Sequence, residues 1–371
     1  MNDPLFTPIE LGGISLKNRL TMAPLYLGYA GAGGTVSPLL LEHYKMMADS
    51  GVGLVVVENA TVDHPIGSGS DRTIRADTDS NADGLAKLAE TIHDGGAMAC
   101  LQINHAGRFA GAAPEPVAPS AVETFGRTPH ALTESEIDAI MDRFADAARR
   151  VKAAGFDMVE LHGGTGYLLA QFVSPRTNRR TDRFGGALEN RARVPLEVLS
   201  RVRSAVGNFP VGYRFLADEW LPDGLTLDDS VPFARMLADA GVTYLSVMGG
   251  TYESFFLPEI VTRSKTPGYM TDLSAAVRAA VDVPVIAAGR IDTGDLAASV
   301  IESGKADLIG LARPLWTDPE WPRKVRERRE GEIIHCDPEC DTCMQMVIKG
   351  RPAFCVRWPY EKMRRLKEIF E

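Results

Sequence analysis

Four of the chain's five cysteines fall in the run Cys336-x3-Cys340-x2-Cys343-x11-Cys355. Thiolates are soft ligands, and three within eight residues can wrap one metal while a fourth closes the site from a returning loop. Zinc and an iron–sulfur cluster both accept four cysteines, so this spacing predicts a metal centre without choosing between them. Two disulfides are the plainer alternative. They fit poorly with a chain that opens Met1-Asn2-Asp3-Pro4, without a basic, apolar secretion signal, and is otherwise almost free of cysteine. The fifth, Cys100, lies in an apolar run and reads as a buried core residue.

A second set of chemical residues is dispersed: Gln102, Asn104, His105 and Arg108; His162, Thr165 and Tyr167; Arg214, Asp218 and Glu219; Gly289 and Arg290; Gly310 and Arg313. Each group follows or ends a short apolar run, which points to elements that bring the ends of many strands together. Runs of four to six apolar residues occur at 20–25, 54–57, 98–103, 158–161, 211–215, 244–247, 283–288 and 308–311. That length suits strands buried on both faces. Amphipathic helical stretches are expected at 39–50, 85–94, 134–154, 188–206, 230–240, 272–281 and 294–303, several ending at a glycine. Eight strands with interleaved helices predict an α/β fold, a (β/α)8 TIM barrel over residues 1–330. A cysteine-rich metal-binding segment with a terminal helix follows at 331–371. An open doubly wound sheet is the competing architecture. It is weakened because Gly31-Ala32-Gly33-Gly34 is the nearest approach to a dinucleotide fingerprint. In a barrel, Gly289-Arg290 and Gly310 with Arg313 stand where backbone N–H groups and guanidinium forks can hold a phosphate.

The chain has 371 residues, 45% of them hydrophobic, with 40 basic and 49 acidic side chains and a net charge of −9. It can bury a full core, and its acidity argues against nucleic acid or an anionic membrane as partner. It contains no apolar run of about 20 residues that could span a bilayer. A cytoplasmic location and a small-molecule substrate are expected, with a homo-oligomer compatible.

The run 155–172, centred on His162-Gly163-Gly164-Thr165-Gly166-Tyr167, strongly resembles the Old Yellow Enzyme family of FMN-dependent oxidoreductases. The likeness continues through Ser174-Pro175, Thr177-Asn178-Arg179-Arg180-Thr181-Asp182, Phe184-Gly185-Gly186 and Glu189-Asn190-Arg191. Leu16-Lys17-Asn18-Arg19, Ala23-Pro24, His105-Ala106-Gly107-Arg108, Ala306-Asp307, Arg313-Pro314 and Asp318-Pro319 add to it. The cysteine run resembles the branch of 2,4-dienoyl-CoA reductase, 2-enoate reductases and trimethylamine dehydrogenase, whose barrels are followed by a [4Fe–4S] cluster. Here the first two cysteines are four residues apart, one more than in that branch.

The resemblance implies FMN and a [4Fe–4S] cluster on Cys336, Cys340, Cys343 and Cys355, with zinc as the lesser alternative. It implies that Gln102 bonds the flavin pyrimidine and that Arg214 lies near N1 and the C2 carbonyl. Gly289, Arg290, Gly310 and Arg313 would hold the phosphate. Pro24, Leu25, Tyr26 and Ala60 would border the isoalloxazine; Tyr26 stands where relatives often carry Cys, Thr or His. Tyr167 matches the proton donor of many relatives. His162 matches half of a carbonyl-binding pair whose other half here is Thr165. The histidine that dienoyl-CoA reductase carries after strand six is absent; Tyr252 and Glu253 stand in that loop.

The implied reaction is reduction of the C=C bond of an α,β-unsaturated carbonyl or enoyl thioester. Oxidation of an amine is the alternative, with Tyr26, Tyr29 and Tyr252 as candidate rings, and a non-catalytic flavin-binding relay subunit is a third reading. The cluster-bearing relatives continue into flavin- and nucleotide-binding domains, whereas this sequence ends sixteen residues after Cys355. NAD(P)H acting directly, or a separate electron-transfer protein, would then exchange electrons with it.

Overall fold

A computed structural model describes residues 3–370. Eight parallel strands form the barrel: β1 (Leu20–Met22), β2 (Leu54–Thr61), β3 (Met98–Asn104), β4 (Met158–Gly163), β5 (Val211–Asp218), β6 (Leu245–Gly249), β7 (Val285–Ala287) and β8 (Leu308–Leu311). Each pairs with the next, and β8 returns to β1 in the register Ile309↔Leu20, Gly310↔Thr21, Leu311↔Met22, so the ladder closes. The strands are buried almost throughout, as their unbroken apolar runs demand.

The main outer helices are α1 (Pro38–Asp49), α2 (Ala82–Asp94), α3 (Glu134–Ala153), α4 (Arg193–Val206), α5 (Leu227–Asp239), α6 (Thr271–Arg278) and α7 (Gly294–Glu302). Their starts follow capping chemistry. The Ser37 hydroxyl accepts from Leu40 N–H, with Pro38 at the first position of α1. Thr133 and Glu136 form a reciprocal capping box on α3.

The expected helix at 188–206 is two, Leu188–Arg191 and then α4, parted at Ala192. The apolar run at 20–25 is strand only as far as Met22, so Pro24, Leu25 and Tyr26 leave the barrel as a loop. Several strands run two to four residues beyond their apolar cores: β2 continues to Thr61 and β5 to Asp218. Those polar extensions are the rim on which the chemical residues sit.

A hairpin absent from the sequence expectations, Ile9–Leu11 with Ile14–Leu16, closes the opposite end of the barrel. Its Leu11 and Leu16 pack into an interior layer with Leu54, Val56, Cys100, Met158, Tyr244, Ile286 and Leu308. Cys100 is thus a core residue, its sulfur 3.6 Å from the Tyr244 hydroxyl. Beyond β8 come α8 (Arg313–Thr317), α9 (Trp321–Arg326), α10 (Thr342–Ile348) and the terminal α11 (Tyr360–Phe370). The terminal helix returns to the barrel: Leu366 is buried, and Arg365 pairs with Glu42 of α1 at 2.9 Å.

Under that contact, His43 of α1 is fully enclosed by the ring edges of Tyr29 and Tyr44, and neither ring nitrogen has a hydrogen-bond partner. Burial, with Lys362 adding to it, holds its pKa down to about 3. The unfolded chain takes up this proton below about 6.5, whereas the folded chain resists until about 3. Stability is therefore complete above pH 6.5 and falls as pH drops through that window, by at most about 1.4 kcal/mol per unit from this group. His43→Phe should lose less stability than wild type between pH 7 and pH 5 in urea unfolding. Identical pH dependence in the two proteins would refute the assignment.

Candidate active site at the barrel mouth

The C-terminal strand ends assemble four kinds of group: buried polar residues in the barrel, a hydroxyl-bearing aromatic wall, a set of arginines, and the cysteine segment.

Within the barrel, Glu160 of β4 is fully buried, and burial raises its pKa against the opposing influence of Arg214. The Gln102 amide Nε2–H donates to it at 2.7 Å and the Tyr244 hydroxyl at 3.0 Å. Gln102 therefore turns its amide carbonyl away from that bond as an acceptor. Arg214 of β5 donates to the Ser246 hydroxyl of β6 at 2.7 Å. Burial lowers its pKa, and Glu160 is the main opposing charge. Glu160, Tyr244 and Ser246 escaped sequence reasoning because a lone polar residue inside or beside a strand gives no sign of its partner one or two strands away.

The wall is formed by His162 and Tyr167 at the end of β4, Phe109 after β3 and Tyr252 after β6. The His162 and Tyr167 rings meet edge to face with centroids 4.8 Å apart. Tyr167 and Tyr252 share a hydroxyl–hydroxyl bond of 2.8 Å. Phe109 stands edge-on to both phenols, 5.1 Å from Tyr252 and 6.4 Å from Tyr167. Nδ1 of His162 accepts from the Gly164 N–H at 3.2 Å, which leaves Nε2 as the donor of a neutral imidazole. Burial, reinforced by Arg214, keeps the ring neutral by holding its pKa well below the usual range. Burial also lifts the Tyr167 phenol well above its ordinary value.

Thr165 adopts a left-handed backbone, φ 58°, and directs its hydroxyl to the Met248 sulfur at 3.5 Å. It does not reach toward His162 as half of a carbonyl clamp. Tyr26 lies within electrostatic reach of Tyr167 and Tyr252, and its hydroxyl bonds Ser70. Burial pushes its pKa up to about 12. Tyr29 lies behind this wall, bonded to the Ala353 carbonyl, and is no part of the bowl. Asp218 and Glu219 brace the β5 loop. Asp218 accepts from Trp220 N–H, and Glu219 from the Ser174 hydroxyl and Leu225 N–H.

The third group is Arg214, Arg290 and Arg313, all within electrostatic reach of the Tyr269 hydroxyl. Among the described residues none of the three makes an ion pair with a carboxylate, although 26 ion pairs occur elsewhere. Arg214 has Glu160 as an opposing charge, whereas Arg290 and Arg313, without an ion-paired carboxylate and close to Gly289 and Gly310, suit an anionic group. Gly289 has φ 115°, and a Cβ there would fall 2.9 Å from Met270 Cβ, so only glycine lets the end of β7 pack this closely against Met270. Pro24, Leu25 and Tyr26 leave β1 beside this end of the barrel, and Ala60 is buried in β2. A flat molecule with an electron-rich heterocycle and a phosphate tail, such as FMN, fits these donors.

The four cysteines of the segment are all free thiols, partly buried. Cys336 lies within electrostatic reach of Cys340, Cys355, Arg290 and Arg313, and Cys343 within reach of Cys336, Cys340 and Arg313. Burial raises both thiols, and Arg313 opposes the rise. Among the described residues, no group of three or more His, Cys, Asp or Glu side chains is arranged to hold a metal ion. Individual sulfurs turn to nearby oxygens instead, Cys355 to Thr317 at 3.6 Å and Cys340 to Thr342 at 3.5 Å. The thiols share a neighbourhood without forming a closed ligand set.

The NADH:flavin oxidoreductase / NADH oxidase family matches residues 4–332. The chain belongs to that family. It is 41% identical over 340 residues to an NADH oxidase of Thermoanaerobacter brockii, a match covering 90% of this chain and 52% of the relative. Its fold superposes with a TM-score of 0.91 and 30% identity on a 2-naphthoyl-CoA reductase complex, covering 97% of this chain and 57% of the other. Histamine dehydrogenase from Rhizobium sp. 4-9 follows at TM-score 0.86 and 28% identity, covering 96% of this chain and 52% of that one. The chain thus spans about half the length of these relatives. Both structural matches extend past residue 332 into the cysteine segment. No helix among the described residues is long and apolar enough to cross a membrane.

The mouth is stiffened by an ion network that the sequence did not reveal. Arg108, 4% exposed, pairs with Glu253 through Nη2 and donates to the Thr124 hydroxyl at 2.7 Å through Nη1. Arg176 reaches the other Glu253 oxygen at 3.2 Å. Arg108→Met removes a buried cation from a carboxylate only one-sixth exposed. It should destabilise the protein by about 3 kcal/mol in urea unfolding. Adding Glu253→Gln should cost less than the sum of the single changes; strict additivity would show that the pair is not coupled.

Proposed function

We propose that this chain is an FMN-dependent ene-reductase, reducing the C=C bond of an α,β-unsaturated carbonyl or enoyl thioester. The observation that carries the reading is the neutral His162 beside a protonated, buried Tyr167, in the same barrel mouth as two arginines without an ion-paired carboxylate. FMN, when bound and reduced, supplies the hydride that adds to the β-carbon. The chain's own residues do the rest. His162 Nε2–H bonds the substrate carbonyl, and Tyr167 gives its phenolic proton to the α-carbon. Gln102 would offer its amide carbonyl to the flavin pyrimidine ring, and Arg214 would oppose negative charge on that ring. Gly289, Arg290, Gly310 and Arg313 take the phosphate; Pro24, Leu25, Tyr26 and Ala60 border the ring system.

The same proposal divides the chain into a catalytic barrel, 1–330, and a segment, 331–371, whose Cys336, Cys340, Cys343 and Cys355 hold a [4Fe–4S] cluster, with zinc as the alternative. Its support is four free thiols in one electrostatic neighbourhood, and structural likenesses that continue through that segment. NAD(P)H or a separate electron-transfer protein is the proposed source of electrons.

Amine oxidation is the second reading, favoured by the phenol-lined bowl and by the likeness to histamine dehydrogenase. Two observations favour the alkene. The Arg108 guanidinium already lies over the Phe109 ring, 4.8 Å from its centroid, so that face is closed to another cation. Tyr29 stands outside the bowl, which leaves fewer rings to face an ammonium.

Anaerobic purification should give flavin bands plus a broad shoulder near ~400 nm; stoichiometric zinc without iron would remove the cluster and leave the flavin. Tyr167→Phe should keep its flavin and its rate of flavin reduction, yet slow alkene-driven reoxidation by ~10²–10⁴-fold. His162→Ala should mainly raise KM. Bleaching of the oxidised flavin by an amine, with no alkene reoxidising the reduced form, would exchange the first reading for the second.

A further inference from the structure

Tyr167 as an acid leaves a difficulty unsolved. Once its proton is given up, a phenolate remains at a position 6% exposed, where burial disfavours the charged form. It must also be reprotonated before the next turnover. The neighbouring groups offer little help. His162 is a neutral imidazole whose Nδ1 is engaged by Gly164. The Thr165 hydroxyl faces the Met248 sulfur, and the Tyr26 hydroxyl is taken by Ser70.

We propose that Tyr252 is the second phenol of the proton-delivery unit. Its hydroxyl, bonded to that of Tyr167, supports the phenolate left behind and passes it a proton from the mouth of the barrel. The inference rests on Tyr167 being the acid of the proposed reaction. Its geometric basis is the 2.8 Å hydroxyl–hydroxyl bond. Phe109 fixes the angle between the two rings by standing edge-on to each.

The loop carrying Tyr252 is itself held. The next residue, Glu253, bridges Arg108 and Arg176, and Thr251 N–H donates to the Ser254 hydroxyl at 2.8 Å. Tyr252 is half-buried whereas Tyr167 is enclosed, so Tyr252 is the member of the pair closer to solvent. Glu253 points its carboxylate into the arginines, away from any role as the proton source.

The step balances without further reagents. Tyr167 O–H breaks as the α-carbon gains the proton; Tyr252 O–H breaks as Tyr167 O–H re-forms; water at the mouth returns a proton to Tyr252. No electrons move. Before transfer the bond joins two neutral hydroxyls, and after it a hydroxyl and a phenolate. It is therefore strongest once the acid has acted, which is what lowers a barrier.

The test uses flavin-loaded protein, reduced anaerobically with dithionite and mixed with 2-cyclohexen-1-one, with flavin reoxidation followed across pH 5–9. Tyr252→Phe should retain its flavin and its reduction by NAD(P)H, but reoxidise ~10-fold or more slowly, in kcat rather than KM. Tyr252→His, which restores a proton-bearing group, should recover much of the rate with a new pH break near the imidazole value of about 6.5. Tyr252→Phe with the wild-type rate and pH profile would overturn the inference. So would a Tyr252→His protein as slow as Tyr252→Phe, since loop shape alone would then explain the loss. A slow Tyr167→Phe beside a normal Tyr252→Phe removes Tyr252 and leaves Tyr167 as the acid. If neither variant is slowed, or no alkene reoxidises the wild type, the reading of Tyr167 fails and Tyr252 falls with it.

Discussion

The closure of β8 onto β1 is the contact on which the rest depends. Ile309 pairs with Leu20 across nearly 290 residues of chain, and the seam is locked by side chains as well as backbone. The Thr21 hydroxyl donates to the Ile309 carbonyl at 3.1 Å, and Arg19 to that of Asp307 at 2.9 Å. With all eight strands paired, no edge is left in the ring, and every strand delivers its C-terminal end to one rim. Residues far apart in sequence, such as Tyr26, Tyr167 and Tyr252, are neighbours only because that ring is shut.

The rim is electrically lopsided in a chain that is acidic overall. Arg290 and Arg313 gather near Tyr269 without an ion-paired carboxylate, Arg214 beside them is opposed by the buried Glu160, and Arg108 and Arg176 are neutralised by Glu253. The difference separates two jobs. Unpaired guanidiniums in a partly buried place are costly until an anion arrives, so they mark where one binds. Paired guanidiniums stiffen a loop. Glu160 sits beneath both sets, fully enclosed, and couples the strand bearing Gln102 to the strand bearing His162 through one hydrogen bond.

The cysteine segment is attached to the catalytic rim rather than appended to it. Ala353 N–H donates to the Leu27 carbonyl, and Tyr29 returns a hydroxyl bond to the Ala353 carbonyl. Arg290 reaches the Cys336 carbonyl at 3.3 Å, and the Trp358 indole donates to the Trp316 carbonyl at 3.0 Å. The loop that carries Tyr26 thus bonds Ala353, two residues from Cys355, and the arginine beside Gly289 bonds the backbone of Cys336 itself.

The sequence by itself determined the barrel. Eight short apolar runs with amphipathic stretches between them suit doubly buried strands joined by parallel crossovers, and the lack of a dinucleotide fingerprint favoured a barrel over an open sheet; β8 at 308–311 was legible to the residue. It also marked His162, Tyr167, Gln102 and the arginines, because chemistry-bearing residues at strand ends are local features of the chain. Only the tertiary structure decided how they act together. Thr165 turns to a sulfur, Tyr29 goes behind the wall, and Tyr252 meets Tyr167, because hydroxyl directions follow from backbone angles and neighbours on other strands. Strand periodicity says which face a residue occupies. It carries no information about which partner, 85 residues away, will complete its hydrogen bond.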